Sequence, residues 1–189
     1  TTTIWIVNAY QLSIVVTLLA FSSLGDIYGF RKVYLSGILV FLFASILCVF
    51  SRSFCMLVIA RIIQGLGGSA LSSVNQGQLR TIYPSKHLGR GIGINAMAVS
   101  ISGVAGPSVA SAILSATSWP WLFAINTPMS IAAFIMGYKF LPKTEYKIKA
   151  KFDKRGAVAN ALFFGLMIYS IEGFAHHESL HLIILQLIA

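Results

Sequence analysis

Charged residues are what this sequence has least of. Asp, Glu, Lys and Arg make up 10% of its 189 residues, whereas soluble domains carry about 25%. Hydrophobic residues reach 57%, and the mean hydropathy is +0.81. So little polar surface cannot cover the apolar residues of a water-soluble globule, and the composition excludes a soluble domain.

Acids and cysteines are scarce as well, and each scarcity excludes a class of function. The sequence has five acidic residues and fourteen Lys and Arg, which give a net charge of +9. Because the basic residues lie between apolar runs, they indicate how the chain is oriented in a membrane, and they predict no nucleic acid partner. No acid occurs between Asp26 and Glu145. Cys48 and Cys55 lack metal-ligand spacing, so the sequence predicts no metal site and no disulfide framework.

Long apolar runs are what the sequence has in abundance. A helix that spans a membrane needs about 20 mostly apolar residues. The candidate spans are Ile4–Leu24, Val33–Phe50, Phe54–Ser73 or slightly beyond, Gly91–Leu114, Trp121–Leu141 and Ala157–Phe174, and a further one begins near Leu180. The sequence therefore predicts an all-α fold, a polytopic transmembrane helix bundle. Because both ends of the sequence lie in apolar runs, we expect a fragment of a longer membrane protein.

The basic residues alternate along the chain and so predict its orientation. They follow the first, third and fifth spans, whereas the turns after the second and fourth spans carry only Arg52 between them. The positive-inside rule assigns the basic turns to the cytoplasm. The longest polar segment, Pro142–Arg155, is the predicted linker between helix groups. Its basic residues could hold anionic lipid headgroups, each worth about 1 kcal/mol, or form a solvated loop.

One basic residue, Arg61, lies inside the third span. At 1.5 Å per residue it lies about 10 Å below the outer surface. Charged residues at such depth usually face a bundle interior or an aqueous cavity, although an Arg side chain could also extend outward along its apolar stem. Gln64 lies three residues further on and shares the helix face, which favours the interior.

Other polar residues lie nearer the outer ends of the spans. Asn8, Tyr10 and Gln11 crowd the outer third of the first span. Trp5 and Tyr10 could form an interfacial aromatic belt there or line a pore. Glu172, near the outer end of the sixth span, could be a wet interfacial carboxylate or a proton carrier.

The third and fourth spans are rich in small residues, which in membranes mark close contact between helices. The third span carries "GLGGSA" at 65–70. The fourth carries two stripes at four-residue spacing, Ala98, Ser102, Gly106 and Ala110 beside Gly103, Pro107, Ser111 and Ser115. Pro107 removes a backbone donor and crowds the carbonyl of Gly103, so we expect the fourth helix to bend there.

One pattern is typical of an enzyme. Residues 177–181 read H-E-S-L-H and match H-E-x-x-H, in which two histidines bind zinc and the glutamate acts as base. A catalytic zinc needs three protein ligands, and no third one follows His181. An intramembrane zinc metalloprotease is therefore an alternative, and a chance match in an outer turn is the simpler interpretation.

The turn after the first span carries a family resemblance. "SSLGDIYGFRK" at 22–32 resembles the loop signature of the major facilitator superfamily, roughly G-x-L-a-D-r-x-G-r-R/K. The matching residues are Leu24, Asp26, Gly29 and Arg31, followed by Lys32. The departures are Ser22, Gly25, Ile27 and Phe30, the last two in place of basic residues.

Three further motifs follow in the order of that family. "LVIARIIQGLGG" resembles its fourth-helix motif R-x-x-q-G-x-g, matching at Arg61, Gln64, Gly65 and Gly67. "SISGVAGPSVAS" resembles its fifth-helix antiporter motif, keeping Gly106 and Pro107 and having Ser102, Ala110 and Ser111 in place of glycines. "SWPWLFAINTP", which contains Asn126, resembles the start of the sixth helix in drug:H+ antiporters with fourteen helices.

The resemblance implies a function. It implies a proton-coupled multidrug efflux transporter, similar to bacterial quaternary-ammonium efflux pumps, that works by drug:H+ antiport with alternating access. Such a protein is not an enzyme, lies in the bacterial plasma membrane and uses the proton gradient instead of a cofactor. Its implied partners are the lipid bilayer, protons, cationic or amphipathic drugs, and the rest of its own polypeptide. A metabolite importer with the same fold remains an alternative.

The resemblance also implies roles for single residues. Arg61 and Gln64 would take part in proton coupling. Ser102, Gly106 and Pro107 would form the antiporter motif and the helix bend. Asp26, Gly29, Arg31 and Lys32 would form a cytoplasmic loop that latches against the other half of the transporter. The candidates for a substrate pathway are Asn8, Tyr10, Gln11 and Asn126.

The same mapping predicts the domain organisation. Residues 1–141 would be five transmembrane helices, the second to sixth of the family's N-terminal half. Residues 142–155 would be the basic cytoplasmic linker, and residues 156–189 would contain an inserted seventh helix and the start of an eighth. Because both halves build the pocket in such transporters, we expect the chain alone not to export ethidium.

Overall fold

A computed structural model describes residues 2–142 and 154–175 of the chain. These residues form helices α1 (Thr2–Tyr28), α2 (Phe30–Val49), α3 (Phe54–Ile82), α4 (Leu88–Ala116), α5 (Trp121–Ala124), α6 (Asn126–Phe140) and α7 (Lys154–Ala175). A 3-10 turn at Ser85–His87 joins α3 to α4, and no strand occurs within the described ranges. The predicted all-α fold is confirmed.

Five helical segments are long and apolar enough to cross a membrane. They are Trp5–Tyr28, Phe30–Val49, Phe54–Ile82, Ser85–Ala116 and Trp121–Phe140, and the last combines α5 with α6. The third helix extends well past Ser73, where its apolar run becomes polar. Gln78 explains part of this extension, because its side chain is buried and donates a hydrogen bond to the carbonyl of Phe30 at 3.3 Å.

The predicted turn between the first two spans is narrower than its sequence indicates. The first helix continues through Asp26 to Tyr28, and the second begins at Phe30, so Gly29 alone interrupts the helices. Gly29 has φ 93° and ψ 137°, a conformation that side chains with a Cβ rarely adopt. Its amide donates to the carbonyl of Gly25 at 2.9 Å. The loop motif is therefore a sharp break at one glycine.

Helix α3 lies at the centre of the bundle and packs against both α1 and α2. The small residues predicted to permit close contact do so here. A Cβ on Gly65 would lie 2.7 Å from the carbonyl oxygen of Tyr10 in α1, and one on Gly67 would lie 2.6 Å from the amide nitrogen of Phe41 in α2. Because lipid provides no hydrophobic drive between helices, this backbone approach supplies the packing.

The small-residue stripes of α4 behave differently from those of α3. A Cβ added to Gly103 or Gly106 would meet nothing within 4 Å. Helix α4 makes only limited contact with α3 and α5. In the described part of the chain, one side-chain hydrogen bond joins it to another helix, between Asn75 and Asn95 at 3.2 Å. Neither glycine of these stripes meets a helix among the described residues, so close packing at the stripes stays a prediction.

Helix α7 packs on α1, and the side-chain amide of Asn160 donates to the carbonyl of Val16 at 3.3 Å. Most of the predicted linker at 142–155 and all of the H-E-x-x-H pattern at 177–181 lie outside the described residues, as does the predicted span near Leu180. Pro107 lies inside α4, and the bend there stays a prediction.

Candidate functional site

Arg61 is held inside the bundle by groups from several helices. Its Nε donates to the carbonyl of Ile6 in α1 at 3.1 Å, and its Nη1 donates to Oε1 of Gln64 at 2.7 Å. The Arg61 side chain is half-buried. These bonds support the interior interpretation, because the guanidinium bonds to protein groups, namely the backbone of Ile6 and the side chain of Gln64.

Gln64 connects Arg61 to the second helix. The Gln64 side chain is 1% exposed, and its Nε2 donates to Oγ of Ser45 at 2.8 Å. Ser45 is fully buried in α2, and its hydroxyl donates to the carbonyl of Phe41 at 2.8 Å. A continuous hydrogen-bonded chain, which we call the Arg61 chain, thus runs from Arg61 through Gln64 and Ser45 to the Phe41 carbonyl.

Two aromatic rings face the Arg61 guanidinium. The ring centroid of Tyr10 in α1 lies 4.3 Å from the guanidinium carbon, and that of Phe123 in α5 lies 5.6 Å away. An aromatic face attracts a cation, and the attraction grows when water is excluded. Asp26 is the only acid whose side chain the structure describes, and it lies near the other end of α1. Rings and carbonyl oxygens therefore stabilise the Arg61 charge in the described part of the chain.

The other predicted pathway residues do not all join Arg61. Tyr10 does, whereas Gln11 is exposed and Asn8 is half-buried. Asn126 lines a separate cleft of about 200 Å³ between α2, α3 and α6, which Tyr34 also lines. The structure thus separates the predicted pathway residues into at least two places.

The predicted loop motif lies at the end of the bundle where α1 ends and α2 begins, here called the basic end. Arg31 Nη2 donates to the carbonyl of Tyr138 at 2.6 Å, and its guanidinium lies 5.5 Å from the Tyr138 ring centroid. This contact lies within the last turn of α6, where a cation is favourable for the helix dipole. Lys32 is exposed, and half-buried Asp26 has no ion-pair partner among residues 2–142 and 154–175.

Ser102, Gly106 and Pro107, predicted to form the antiporter motif, lie together on α4 and are exposed within the described part of the chain. The Ser102 hydroxyl donates to the carbonyl of Ala98 at 2.8 Å. Along the helix axis each of the three residues lies within about 30 Å of both ends of α4. None of them takes part in the hydrogen bonds of Arg61.

Sequence reasoning missed Ser45 and Phe123. A serine inside an apolar helix normally bonds to its own backbone, so nothing in the second span distinguishes Ser45 from Ser36. Phe123 lies in a short aromatic-rich stretch, where its ring is one of several. The small residues on the side of α2 that faces Gly67 could have indicated which side of α2 meets the third helix. Ser45 lies on that side.

Among the described residues, no group of three His, Cys, Asp or Glu side chains could hold a metal ion. Cys48 is fully buried and Cys55 is exposed. Both cysteines are free.

A sequence profile of the Major Facilitator Superfamily matches residues 1–186. The Uncharacterized transporter YebQ of Escherichia coli is 51% identical over 98% of the chain. The Riboflavin transporter RibZ of Clostridioides difficile is 37% identical over 74% of the chain. The Multidrug efflux pump SdrM of Staphylococcus aureus is 31% identical over 88% of it. The chain spans 41%, 30% and 38% of these relatives, respectively, which is less than half of each.

Proposed function

The chain belongs to the major facilitator superfamily, and from this premise we propose that it forms part of a proton-coupled multidrug efflux transporter working by drug:H+ antiport. It is a multi-pass membrane protein of the bacterial cell membrane, with five apolar spans and relatives that are named as transporters. The proposal concerns the substrate, the direction and the coupling ion.

The site of Arg61 carries the proposal. A charged side chain inside a membrane bundle is costly, so it indicates a functional site. Here the guanidinium is half-buried and bonded to Ile6 and Gln64, with no carboxylate among the described side chains beside it. We infer that Arg61 and Gln64 respond to a charge that changes during transport, such as a proton on a carboxylate elsewhere in the transporter.

Relatives give the proposal its substrate class. One relative is named as a multidrug efflux pump and is 31% identical, which supports drug export. Cationic or amphipathic drugs are the class that the resemblance to quaternary-ammonium efflux pumps implies. In the alternating-access scheme, the drug site would open to one side of the membrane and then to the other. Asp26, Gly29, Arg31 and Lys32 would then act at the basic end, and Pro107 would provide flexibility in α4.

A second candidate function has a specific observation in its favour. The relative named as a riboflavin transporter is 37% identical, which is higher than the 31% of the efflux pump. A transporter of one metabolite is therefore the alternative to test. The metalloprotease has no such support, because its sequence pattern lies outside the described residues and the relatives are named as transporters.

The test uses the gene that contains this sequence, expressed at its natural length in bacteria that lack their own major drug pumps. We expect ethidium export that needs an imposed pH gradient and stops when a protonophore removes it. Riboflavin movement without ethidium export would favour the alternative and refute multidrug antiport.

Arg61→Ala is the decisive variant, and Arg52→Ala is its control. Arg52 is an exposed arginine in the turn between α2 and α3, so its loss removes the same charge without touching the bundle. We expect Arg61→Ala to abolish coupled export while membrane insertion stays normal, and Arg52→Ala to export normally. Undiminished export by Arg61→Ala would show that Arg61 has no part in coupling.

A further inference from the structure

We propose that Ser45, which no motif includes, is a positioning residue that sets the orientation of the Gln64 amide and thereby holds the Arg61 guanidinium in place. This inference rests on the proposed function for its effect on transport, and on the structure alone for its effect on Arg61. It adds a residue of α2 to a site that sequence motifs assign to the third helix.

The Ser45 hydroxyl has a single proton. That proton is donated to the carbonyl of Phe41, four residues earlier in α2, at 2.8 Å. A hydroxyl has one donor and two acceptor lone pairs. Toward Gln64, Ser45 can therefore only accept, and it does so from Nε2 at 2.8 Å.

The direction of this bond determines which end of the amide faces Arg61. With its nitrogen bonded to Ser45, the Gln64 amide presents Oε1 to Nη1 of Arg61 at 2.7 Å. An arginine side chain can only donate hydrogen bonds. If the Gln64 amide were turned the other way, its N–H groups would face those of Arg61 and no hydrogen bond could form. The Phe41 carbonyl thus orients the Ser45 hydroxyl, which orients Gln64, which receives Arg61.

Burial makes this chain of bonds hard to replace. Gln64 is 1% exposed and Ser45 is 0% exposed, so water cannot take over when one member is lost. An unpartnered buried donor is costly. In Ser45→Ala, Nε2 of Gln64 loses the acceptor that it has in this site. The amide orientation that presents Oε1 to Arg61 is then no longer favoured over the opposite one.

The matched control is Ser69, a serine that is also 0% exposed. Its hydroxyl donates to the carbonyl of Ile14 at 3.1 Å, and it lies on α3, the helix of Arg61. Ser69→Ala removes a buried serine hydrogen bond between helices without touching Gln64 or Arg61. Ser45→Thr is the conservative variant, because threonine keeps both the hydroxyl proton and the acceptor.

The first measurement needs no transport. The natural-length protein is labelled with ¹⁵N-arginine in lipid nanodiscs. The Nη–H signals of Arg61, which include the donor to Gln64, are assigned by their loss in Arg61→Lys, and their exchange with solvent is followed. Loss of a hydrogen bond to a charged group corresponds to about tenfold or more. We expect Ser45→Ala and Gln64→Met to speed exchange about tenfold, and Ser45→Thr and Ser69→Ala to leave it within about twofold.

The second measurement is the pH dependence of ethidium export. Ser45→Ala and Gln64→Met should shift this profile alike, and the double variant should shift it no further, because both changes break one chain of bonds. Ser69→Ala should leave the profile in place even if it lowers the amount of folded protein.

The outcomes separate the two proposals. Unchanged Arg61 exchange in Ser45→Ala, or equal acceleration in Ser69→Ala, overturns the role of Ser45. If Ser45→Ala accelerates exchange as expected and the unmodified protein exports no drug, the positioning role is supported and the proposed function fails. A Ser45→Ala protein that does not fold is replaced by Ser45→Cys, whose thiol is a weak acceptor and for which the same acceleration is expected.

Discussion

The contact between α2 and α3 gives a prediction whose size follows from the structure. Gly67→Ala places a Cβ 2.6 Å from the amide nitrogen and 2.8 Å from the Cα of Phe41, and 2.9 Å from the carbonyl oxygen of Gly37. All three atoms belong to the backbone of α2, so no side chain can turn away. The two helices must separate by about 1 Å to reach ordinary contact distances.

The cost can be isolated with a second glycine. Alanine favours a helix by about 1 kcal/mol over glycine, and overpacking a close contact costs about 1–3 kcal/mol. Gly93 lies in α4, where an added Cβ meets nothing within 4 Å. The helix preference is common to Gly67→Ala and Gly93→Ala, so the difference between them is the overpacking cost, about 1–3 kcal/mol or about 5–150-fold in the unfolding equilibrium.

The measurement is unfolding of the purified protein by SDS titration, followed by tryptophan fluorescence, for the unmodified protein and both variants. We expect Gly93→Ala to be as stable as the unmodified protein or slightly more stable, and Gly67→Ala to be the least stable of the three. If Gly67→Ala matched Gly93→Ala within about 0.5 kcal/mol, the close approach of the two backbones would be refuted.

Three further predictions concern single positions. Gly29→Ala should lower the free energy of unfolding by about 1–3 kcal/mol because φ is 93° there; equal stability in the same SDS titration would contradict this. Arg31→Met should speed amide hydrogen exchange in the last turn of α6 by about tenfold, because the carbonyl of Tyr138 loses a charged donor at 2.6 Å; unchanged exchange would show that the contact is not stabilising. In intact cells a membrane-impermeant maleimide should label Cys55, which is exposed, and not Cys48, which is fully buried; labelling of Cys55 only after permeabilisation would reverse the predicted topology.

The part of the site that lies on one helix was predictable. Arg61 and Gln64 are three residues apart, and this spacing puts them on one face of any helix. The structure joins them by a hydrogen bond of 2.7 Å, with Gln64 buried as the interior interpretation requires. Their role in coupling stays a prediction.

The part of the site that comes from other helices was not predictable. Ser45 is 19 residues from Gln64 in sequence and meets it through the side chain. Phe123 reaches Arg61 from a four-residue helix. No periodicity relates such positions, because their contact depends on how α2, α3 and α5 cross.

Small residues show the same division. The glycines of α3 and of α4 looked alike in sequence, and both sets predicted close contact. Gly65 and Gly67 meet backbone atoms of α1 and α2, whereas Gly103 and Gly106 meet no neighbour in the described part of the chain. A small residue permits a close approach, and only a partner on that face makes one.

The sequence by itself predicted the five apolar spans that the structure describes and the family. Transfer of a segment into lipid depends on the sum of its own residues, so it can be read locally. Only the tertiary structure decided that one glycine separates α1 from α2, that Arg31 bonds to the end of α6, and that Ser45 completes the Arg61 chain. In lipid, helices associate through close packing and hydrogen bonds between distant residues, and those depend on the shapes of whole surfaces.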